Sequence, residues 1–381
     1  MLNWDVSRSR ARGCKRWSNH GPDVLDLGVA EMDLPIADPI LAAVSEATER
    51  QAFGYPVDDH LSGVPTATAA WLGRQGLSVT PAGIRLVPDA MRGILLAIRH
   101  LTEPSSPVVV PTPSYPRFFE VVAVTGRPCV QVPMRHEAGR YRLDLEGIER
   151  ALRAGAGSVI LCHPANPVGR VFTSDELTEL ATIVDRHSAR VISDEVHAPI
   201  RYTEPFTPYA ALNETARRHA ITVTSATKAW NFPGLRCAMV ALTNGRDPAI
   251  WDGIRHVEKS GISPLGMIAT KAALAEGAPW LTEALTFLDD NRRLVTEFLA
   301  GAELPIHADT PEATYFSWLN LTAFDIDQPA AFLLEHAGVA TGAGPTYGHG
   351  GAGHVRLNFA TPQPTLLEAL ERITTALTKR L

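Results

Sequence analysis

The sequence predicts an α/β protein that has a large domain with a mostly parallel sheet and a second, smaller α+β domain. At 381 residues the chain exceeds the length at which a single hydrophobic core is usual. Between residues 84 and 223, short apolar runs alternate with helical patterns. Strands this apolar, separated by helices, are typical of a parallel sheet that is covered on both faces. After about residue 280 the pattern changes, which indicates the second domain.

The elements of the large domain follow in order from these periodicities. Apolar runs of strand length occupy residues 84–87, 107–110, 158–162, 190–193 and 220–224. Helical patterns occupy residues 90–100, a stretch from about residue 115, and residues 174–187. Thr173 and Ser174 mark a plausible start of the last helix, because their hydroxyl groups can accept hydrogen bonds from its free amides.

The second domain combines helices with short strands. A long helical pattern covers residues 280–300, and residues 313–319 alternate like a strand with one covered face. Residues 353–359 predict another strand, and residues 364–381 predict a final helix. The first forty or so residues have too little apolar sequence for a core of their own, so we expect them to pack against this domain. The predicted division is an N-terminal segment at 1–45, a large domain at 46–285 and a small domain at 286–381.

Composition and charge exclude several functional classes. Apolar residues make up 45% and charged residues 20% of the chain, as in soluble globular enzymes. A net charge of -6 without a basic block argues against nucleic acid as a general partner. No apolar stretch is long enough to span a bilayer, and residues 1–5 do not resemble the start of a signal peptide. The cysteines are scattered without a CxxC pair, so the sequence indicates no metal site and no disulfide framework, and we expect a cytoplasmic protein.

Lys228 has the most specific chemical context in the chain. The lysines of the sequence are Lys15, Lys228, Lys259, Lys271 and Lys379. Lys228 lies among hydroxyl, aromatic and glycine residues, just after the predicted strand at 220–224. A lysine at such a position can hold a carbonyl cofactor as a Schiff base, which is how pyridoxal phosphate uses lysine. From this segment alone, an ordinary loop lysine is the alternative.

Other polar groups follow the ends of predicted strands, where open α/β sheets bind their ligands. The amides of Ala90 and Met91 open a helix after the strand at 84–87 and could hold a phosphate, although any strand-to-helix turn offers free amides. Asn166 lies in a loop shaped by prolines and a glycine. Its amide could donate to a phenolate oxygen of a cofactor, or it could form only a local turn.

Asp194 ends the predicted strand at 190–193. A buried carboxylate is unfavourable unless it is paired, so Asp194 could pair with a protonated pyridine nitrogen and make the ring an electron sink. His197, three residues later, could reach the ring hydroxyl. A structural ion pair or a helix cap is the alternative for Asp194, and we interpret Glu195 as structural.

Two further residues could contact a cofactor or a substrate. Arg356 lies between apolar residues in the predicted strand at 353–359, so it needs an anionic partner, and its planar fork fits a carboxylate. An internal salt bridge is the alternative. Tyr115 could lay its ring on a flat cofactor, or it could be a half-buried loop residue.

Together, these residues resemble the aspartate-aminotransferase fold family of pyridoxal-phosphate enzymes, fold type I. The matching motifs are NPxG at Asn166, Asp-Glu-x-His at Asp194, Ser-x-x-Lys ending at Lys228, Arg236, and Arg-Leu-Asn at Arg356. The resemblance covers nearly the whole chain. A narrower resemblance, to the cystathionine β-lyase and cysteine-conjugate C–S lyase branch, is carried by residues 14–17, 29–34, 53–55, 276–281, 313–318 and 346–348.

The resemblance implies an aspartate-aminotransferase-like fold with a mostly parallel seven-stranded sheet, and pyridoxal 5'-phosphate as the cofactor. It implies that Lys228 and Tyr115 are the catalytic residues, with Tyr115 stacked on the ring and Asp194 at the pyridine nitrogen. Asn166 and His197 would flank the ring hydroxyl.

The resemblance also implies how the remaining groups are bound. The residues around the phosphate would be Ala90, Met91, Ser225, Arg236 and, from a neighbouring subunit, Tyr55. The residues around an amino-acid substrate would be Arg356, Ala30 and Tyr55. A tyrosine shared in this way implies a homodimer with shared active sites. The glycine-rich segment 342–353 could be a mobile lid or an ordinary surface loop.

The implied reaction is α,β-elimination on a cysteine S-conjugate such as cystathionine, which yields a thiol, pyruvate and ammonia. Lys228 would remove the α-proton, because a nearby cationic ring should lower its pKa. An aminotransferase of class I or II would use the same residues and stays open, since Arg236, eight residues after Lys228, is typical of aminotransferases. A decarboxylating or oxidative variant on a cysteine conjugate stays open as well, as does a regulatory module that binds the cofactor without catalysis.

Overall fold

The computed structural model describes residues 5–202 and 204–380. Residues 1–4, which make up most of the segment compared above with a signal peptide, lie outside the described residues. So do Thr203 and Leu381, the last residue of the predicted final helix.

Fourteen strands form four sheets in the described part of the chain. The strands are β1 (Leu25–Asp26), β2 (Ile84–Val87), β3 (Val108–Thr112), β4 (Cys129–Pro133), β5 (Arg135–Glu137), β6 (Arg140–Arg142), β7 (Ser158–Cys162), β8 (Arg190–Asp194), β9 (Ala220–Thr224), β10 (Ala238–Leu242), β11 (Phe316–Asn320), β12 (Val339–Ala340), β13 (Gly342–Ala343) and β14 (His354–Asn358).

The α-helices alternate with these strands. They are α1 (Val6–Ala11), α2 (Lys15–Ser18), α3 (Asp38–Glu49), α4 (Asp59–Ser62), α5 (Val64–Arg74), α6 (Ala90–Leu101), α7 (Pro116–Val124), α8 (Leu145–Arg153), α9 (Ser174–Arg186), α10 (Glu214–His219), α11 (Ala226–Ala229), α12 (Asp247–Asp252), α13 (His256–Lys259), α14 (Pro264–Glu276), α15 (Ala278–Gly301), α16 (Pro329–Ala337) and α17 (Gln363–Thr378).

The largest sheet has seven strands in the order β2-β10-β9-β8-β7-β3-β4. The strands from β9 to β4 run parallel to one another, whereas β10 runs antiparallel to both of its neighbours. Both faces of the sheet are covered. Ile160 of β7 packs in one apolar cluster with residues of α6 and α7, and the adjacent Leu161 packs in a second cluster with residues of α9. The sheet is therefore mostly parallel and buried, as the apolar runs predict.

Local sequence signals explain where the helices next to this sheet begin. The Asp89 carboxylate accepts a hydrogen bond from the Arg92 amide at the start of α6. The predicted start of α9 is confirmed, because the Thr173 hydroxyl accepts from the Glu176 amide while the Glu176 carboxylate accepts from the Thr173 amide. The Ser225 hydroxyl accepts from the Thr227 amide at the start of α11, the helix that carries Lys228.

The C-terminal part of the chain contains the antiparallel sheet β11-β14-β13. The prediction that residues 313–319 have one covered face is wrong, since residues 313–319 are all buried. Phe316 packs against the ring of His197, at the large sheet, while Leu319 on the opposite face packs in the apolar core. A strand between two layers loses its exposed face, and the alternation of residue types does not reveal this.

The N-terminal segment packs against this C-terminal part. Strand β1 pairs with β12 in parallel, with Leu25 opposite Val339. The fully buried Arg16 donates from Nε to the Asp26 carbonyl oxygen at 2.7 Å and forms an ion pair with Asp33. The predicted boundaries at 45/46 and 285/286 fall within α3 and α15, so each of these helices continues from one predicted unit into the next.

Among the described residues, none of the helices combines the length and the apolar character that a membrane span requires.

Candidate active site

The candidate site is a pocket of about 480 Å³ at the carboxyl ends of the parallel strands. Asn166 follows β7, Asp194 is the last residue of β8, and Lys228 follows β9. Because adjacent parallel strands end at the same edge of a sheet, these side chains meet. The pocket is lined by most of the predicted site residues, namely Ala30, Ala90, Met91, Tyr115, Asn166, Asp194, His197, Ser225, Lys228 and Arg236.

Lys228 contributes an amine of unusually low basicity. Its Nζ donates a hydrogen bond to the carbonyl oxygen of Ala30 at 2.9 Å. The pKa of Lys228 is lowered from 10.5 to about 8, mainly by burial and also by the positive charge of Arg356, against the opposite effect of Glu31 and Asp194. About a tenth of this amine is therefore neutral at pH 7, far more than for an ordinary lysine, and the neutral form is the one that a nucleophile or a general base requires.

Asp194 is a buried carboxylate whose negative charge is only weakly stabilised by its neighbours. Its Oδ1 accepts a hydrogen bond from the Val196 amide at 3.2 Å. Burial raises the pKa of Asp194 to about 7, and the backbone bond and the charge of Lys228 oppose that rise only in part. No cationic side chain among residues 5–202 and 204–380 lies within ion-pair distance of Asp194, so the alternative of a structural ion pair is not supported. A cationic ligand group in the pocket would stabilise the ionised carboxylate.

His197 is a neutral ring that borders the pocket. Burial lowers the pKa of His197 to about 3, and the charges of Lys228 and Arg356 act in the same direction. Its ring meets the rings of Tyr315 and Phe316 edge-on. Its Nδ1 is buried and has no hydrogen-bond partner among the described residues. A buried ring nitrogen without a partner is unfavourable, so Nδ1 is a point at which a ligand could bind.

One end of the pocket is suited to an anion. Ala90 and Met91 are the first two residues of α6, so their amides face its N-terminus. Arg236 contacts the same helix start, because its Nη2 lies 2.5 Å from the Asp89 carboxylate. Ser225 also lines the pocket, where its hydroxyl contacts the Thr227 hydroxyl at 2.8 Å.

Arg356 lies on β14 and reaches the pocket through Asn166. Its Nη1 donates to Asn166 Oδ1 at 3.1 Å, and its Nη2 donates to the Gly28 carbonyl oxygen at 2.7 Å. Its Nε is buried without a hydrogen-bond partner in residues 5–202 and 204–380, and the guanidinium lies 3.9 Å from the centre of the Phe316 ring. Within the described residues, no carboxylate lies within ion-pair distance of Arg356, so the alternative of an internal salt bridge is not supported. The guanidinium retains the capacity to bind an anion.

Tyr115 lies between β3 and α7 and borders the pocket. Burial raises the pKa of Tyr115, so its hydroxyl stays protonated at neutral pH. Its ring packs edge-on against Phe118 at 5.6 Å between ring centres.

Two predicted site residues do not line this pocket: Arg356, which contacts its residue Asn166, and Tyr55. Tyr55 is 100% exposed and lines a separate cavity of about 1120 Å³, beside Phe53 and Val57. The predicted role of Tyr55 depends on a neighbouring subunit.

The glycine-rich segment 342–353 is attached to the large sheet region. The Ser114 amide donates to the Tyr347 carbonyl oxygen at 2.8 Å, and the His349 amide donates to Gln131 Oε1 at the same distance. The interpretation of this segment as a mobile lid gains no support from these contacts.

Several residues and backbone groups at the site were not predicted from the sequence. Thr227, next to Lys228, lines the pocket, and its place within the Ser-x-x-Lys motif could have identified it. The Gly28 carbonyl oxygen, which accepts from Arg356, was not predicted, because backbone groups carry no residue-specific signal. Ala30 was predicted beside the substrate, but the contact of its carbonyl oxygen with Lys228 was not. Cys162 and Arg117 also line the pocket, without a sequence signal of their own.

Comparisons with known proteins bear on this site. The profile of the family described as aminotransferase class I and II matches residues 22–373. A cystathionine beta-lyase of Corynebacterium glutamicum is 36% identical over 98% of this chain and 99% of its own length. Cystathionine beta-lyase PatB of Bacillus subtilis is 30% identical over 99% of this chain and 100% of its own length.

Solved structures agree with these relatives. A protein of Corynebacterium diphtheriae, assigned as a PLP-dependent beta-cystathionase, superimposes with a TM-score of 0.94 at 35% identity and covers 98% of both chains. A PLP-bound C-S lyase from Staphylococcus hominis superimposes with a TM-score of 0.87 at 26% identity and covers 97% of this chain and 98% of its own. The predicted resemblance and fold class are confirmed: the chain belongs to the aminotransferase class I and II family.

Proposed function

We propose that this protein is a pyridoxal-phosphate-dependent C–S β-lyase, which cleaves a cysteine S-conjugate to a thiol, pyruvate and ammonia. The observation that carries the proposal is a pocket that holds a lysine of lowered pKa and a buried carboxylate, with Arg356 bound to the pocket residue Asn166. Within residues 5–202 and 204–380, neither that carboxylate nor Arg356 has an oppositely charged side chain at ion-pair distance. The full-length similarity to proteins named cystathionine beta-lyase supports the elimination reaction.

The residues of the pocket fit the cofactor. In the part of the chain that the structure describes, Asp194 lacks the cation that a protonated pyridine nitrogen would supply, and the buried Nδ1 of His197 lacks a partner. The residues that would hold the phosphate are Ala90, Met91, Ser225 and Arg236, and those that would hold the ring are Tyr115, Asn166, Asp194 and His197. When it is bound, pyridoxal phosphate supplies a carbonyl carbon for Lys228 and an electron sink for the charge left after loss of the substrate α-proton.

Three side chains supply the proton transfer, the binding of the substrate carboxylate and the contact with the ring. The neutral Nζ of Lys228 accepts the substrate α-proton, which its lowered pKa permits at physiological pH. Arg356 binds the α-carboxylate with its planar fork, an interaction that replaces its present contact with Asn166. Tyr115, which lines the pocket, would lie against the ring, and because burial keeps its hydroxyl protonated it would add no negative charge there.

An aminotransferase is the second candidate function. Arg236 beside the N-terminus of α6 favours it, because this arginine is typical of aminotransferases at the phosphate. The two reactions share the removal of the α-proton, so the same residues serve both. In the elimination the thiol then leaves the β-carbon, whereas in the transamination the amino group passes to a keto acid. The product therefore has to be measured.

We also propose that the protein is a homodimer in which Tyr55 contributes to the partner's active site. Tyr55 lies in an exposed apolar patch with Phe53, Val57 and Leu61, whose exposed fractions lie between 54% and 100%. Apolar patches of this kind mark contact surfaces. For the location we propose the cytoplasm, since the cysteines are free thiols. We also propose that residues 1–45 form an N-terminal segment, residues 46–285 the large domain and residues 286–381 the small domain, with α3 and α15 continuing across the two boundaries.

A product assay tests the proposed reaction. Purified protein is incubated with cystathionine or with S-alkyl cysteines, and pyruvate, free thiol and aminated acceptor are measured separately. We expect thiol and pyruvate in equal amounts without an added keto acid. Turnover that requires a keto acid and releases no thiol would instead identify an aminotransferase. The Lys228→Ala variant is the control and should form neither product.

A further inference from the structure

An irregular segment of the backbone touches both central cations of the site. Residues 28–34, called here the carbonyl segment, lie between β1 and α3 outside regular secondary structure. The Gly28 carbonyl oxygen accepts from Arg356 at 2.7 Å, and the Ala30 carbonyl oxygen accepts from Lys228 at 2.9 Å. The alignment of these two carbonyl groups therefore affects both the residue proposed to bind the carboxylate and the residue proposed to move the proton.

Two buried asparagines hold this segment in place. Asn358 donates from Nδ2 to the carbonyl oxygens of Val29 and Glu31, each at 2.7 Å. These two residues flank Ala30 on either side. The Asn358 Oδ1 accepts from the Ala360 amide at 2.8 Å, so its amide group is fully engaged.

Asn231 fixes the other end of the carbonyl segment. Its Oδ1 accepts from the Met32 amide at 2.9 Å, and its Nδ2 donates to the carbonyl oxygens of Met32 and Leu34 at 2.8 and 3.2 Å. Asn231 has a φ of 61°, a left-handed conformation that asparagine tolerates better than most residues. A loop without strand pairing is thus tied down by side-chain amides at both ends.

Each asparagine belongs to the same local element as one of the cations. Asn358 follows Arg356 by two residues on β14, so both side chains extend from the same face of that strand. Asn231 follows Lys228 by three residues, just after α11. If β14 or α11 moves, the carbonyl segment should move with it. Arg356 would then stay beside the Gly28 carbonyl oxygen, and Lys228 beside that of Ala30.

We propose that Asn231 and Asn358 are positioning residues of the active site, which act through the carbonyl segment to keep the Gly28 and Ala30 carbonyl oxygens on Arg356 and Lys228. Neither asparagine lines the pocket, and backbone groups occupy the side-chain amides of both, so both act without touching the substrate. This positioning role rests on the proposed function, but the labelling of Lys228 can be measured whatever reaction the enzyme catalyses.

The variants to compare are Asn358→Ala and Asn231→Gly, with Asn291→Ala as the matched control. Glycine at position 231 retains the left-handed backbone and removes only the amide. Asn291 is also buried and also donates to two backbone carbonyl oxygens, those of Phe359 and Thr361, but it makes no hydrogen bond to residues 28–34. All three variants should lose stability in thermal unfolding, so stability does not distinguish them.

The first measurement uses cofactor-free protein and follows the pH dependence of acylation of Lys228 by acetic anhydride, read by peptide mass spectrometry. Release of the carbonyl segment admits water to Lys228. Since burial is the largest cause of its low pKa, the labelling midpoint should move upward from about 8 in Asn358→Ala and Asn231→Gly and stay in place in Asn291→Ala. An unchanged midpoint in both variants, or an equal shift in Asn291→Ala, would overturn the proposal.

The second measurement uses the cofactor-loaded enzyme with cystathionine. A less well aligned Arg356 should raise KM by about tenfold, the factor expected for one weakened hydrogen bond to a charged group, with a smaller change in kcat. A KM that equals that of Asn291→Ala would contradict the positioning role. If the wild-type enzyme releases no thiol, the lyase proposal fails, and the labelling midpoints still test the positioning role.

Discussion

The amine of Lys228 should react over a pH range well below that of an ordinary lysine. Burial and the charge of Arg356 lower its pKa from 10.5 to about 8. At pH 7 about a tenth of such an amine is neutral, and at pH 9 about nine-tenths is neutral. The rate of acylation of Lys228 should therefore rise by about tenfold between these pH values and then level off.

An unperturbed lysine would behave differently over the same range. With a pKa of 10.5, the neutral fraction would rise by about a hundredfold between pH 7 and pH 9 without levelling off. The two cases thus differ by about a factor of ten in the measured ratio of rates, which is larger than the usual error of peptide quantification.

The assay labels cofactor-free protein with a trace of acetic anhydride and quantifies the modified peptides by mass spectrometry. Lys15, Lys259, Lys271 and Lys379 are labelled in the same sample and serve as internal standards for the reagent. A hundredfold rise for Lys228, with no plateau by pH 9, would refute the inference that its environment prepares it for proton transfer.

Three further predictions concern the other residues of the site. Burial raises the pKa of Asp194 from 3.8 to about 7, so its ionised form destabilises the cofactor-free fold increasingly as the pH rises over that range. Relative to the wild type, cofactor-free Asp194→Asn should therefore gain up to about 4 kcal/mol in free energy of unfolding at pH 8 and almost none near pH 4. Denaturant unfolding measures this difference, and equal stabilities of the two proteins at pH 8 would contradict the reasoning. Arg356→Lys loses the planar fork and should raise KM for cystathionine by about a hundredfold, and an unchanged KM would exclude a role in substrate binding. Mixing inactive Lys228→Ala with inactive Tyr55→Ala should restore about a quarter of wild-type activity after subunit exchange, because half of the dimers then contain one intact site; no recovery in exchanged dimers would argue against a shared tyrosine.

Residues whose positions follow from local sequence were predicted well. Asp194 and Lys228 follow apolar strands, and the ends of parallel strands meet at one edge, so their approach could be inferred from the sequence. The start of α9 could be inferred in the same way, since a capping box is a local pattern. The resemblance to a known family then supplied the roles that no local pattern encodes.

Features that depend on distant contacts could not be predicted from the sequence. The strand β11 has residue alternation that suggests an exposed face, yet both faces are covered because the strand lies between two layers. The carbonyl groups of Gly28 and Ala30 act through the backbone, so no residue type marks their role. Tyr55 is fully exposed in a single chain, and its role depends on a subunit that one sequence does not specify.

The most direct test of the proposed function is the ratio of thiol released to cystathionine consumed by the cofactor-loaded enzyme in the absence of any keto acid. We expect one thiol and one pyruvate for each cystathionine consumed, over many turnovers, and no product with Lys228→Ala. Consumption that stops after one turnover per site and resumes only when a keto acid is added, without thiol release, would contradict the C–S lyase proposal and identify an aminotransferase.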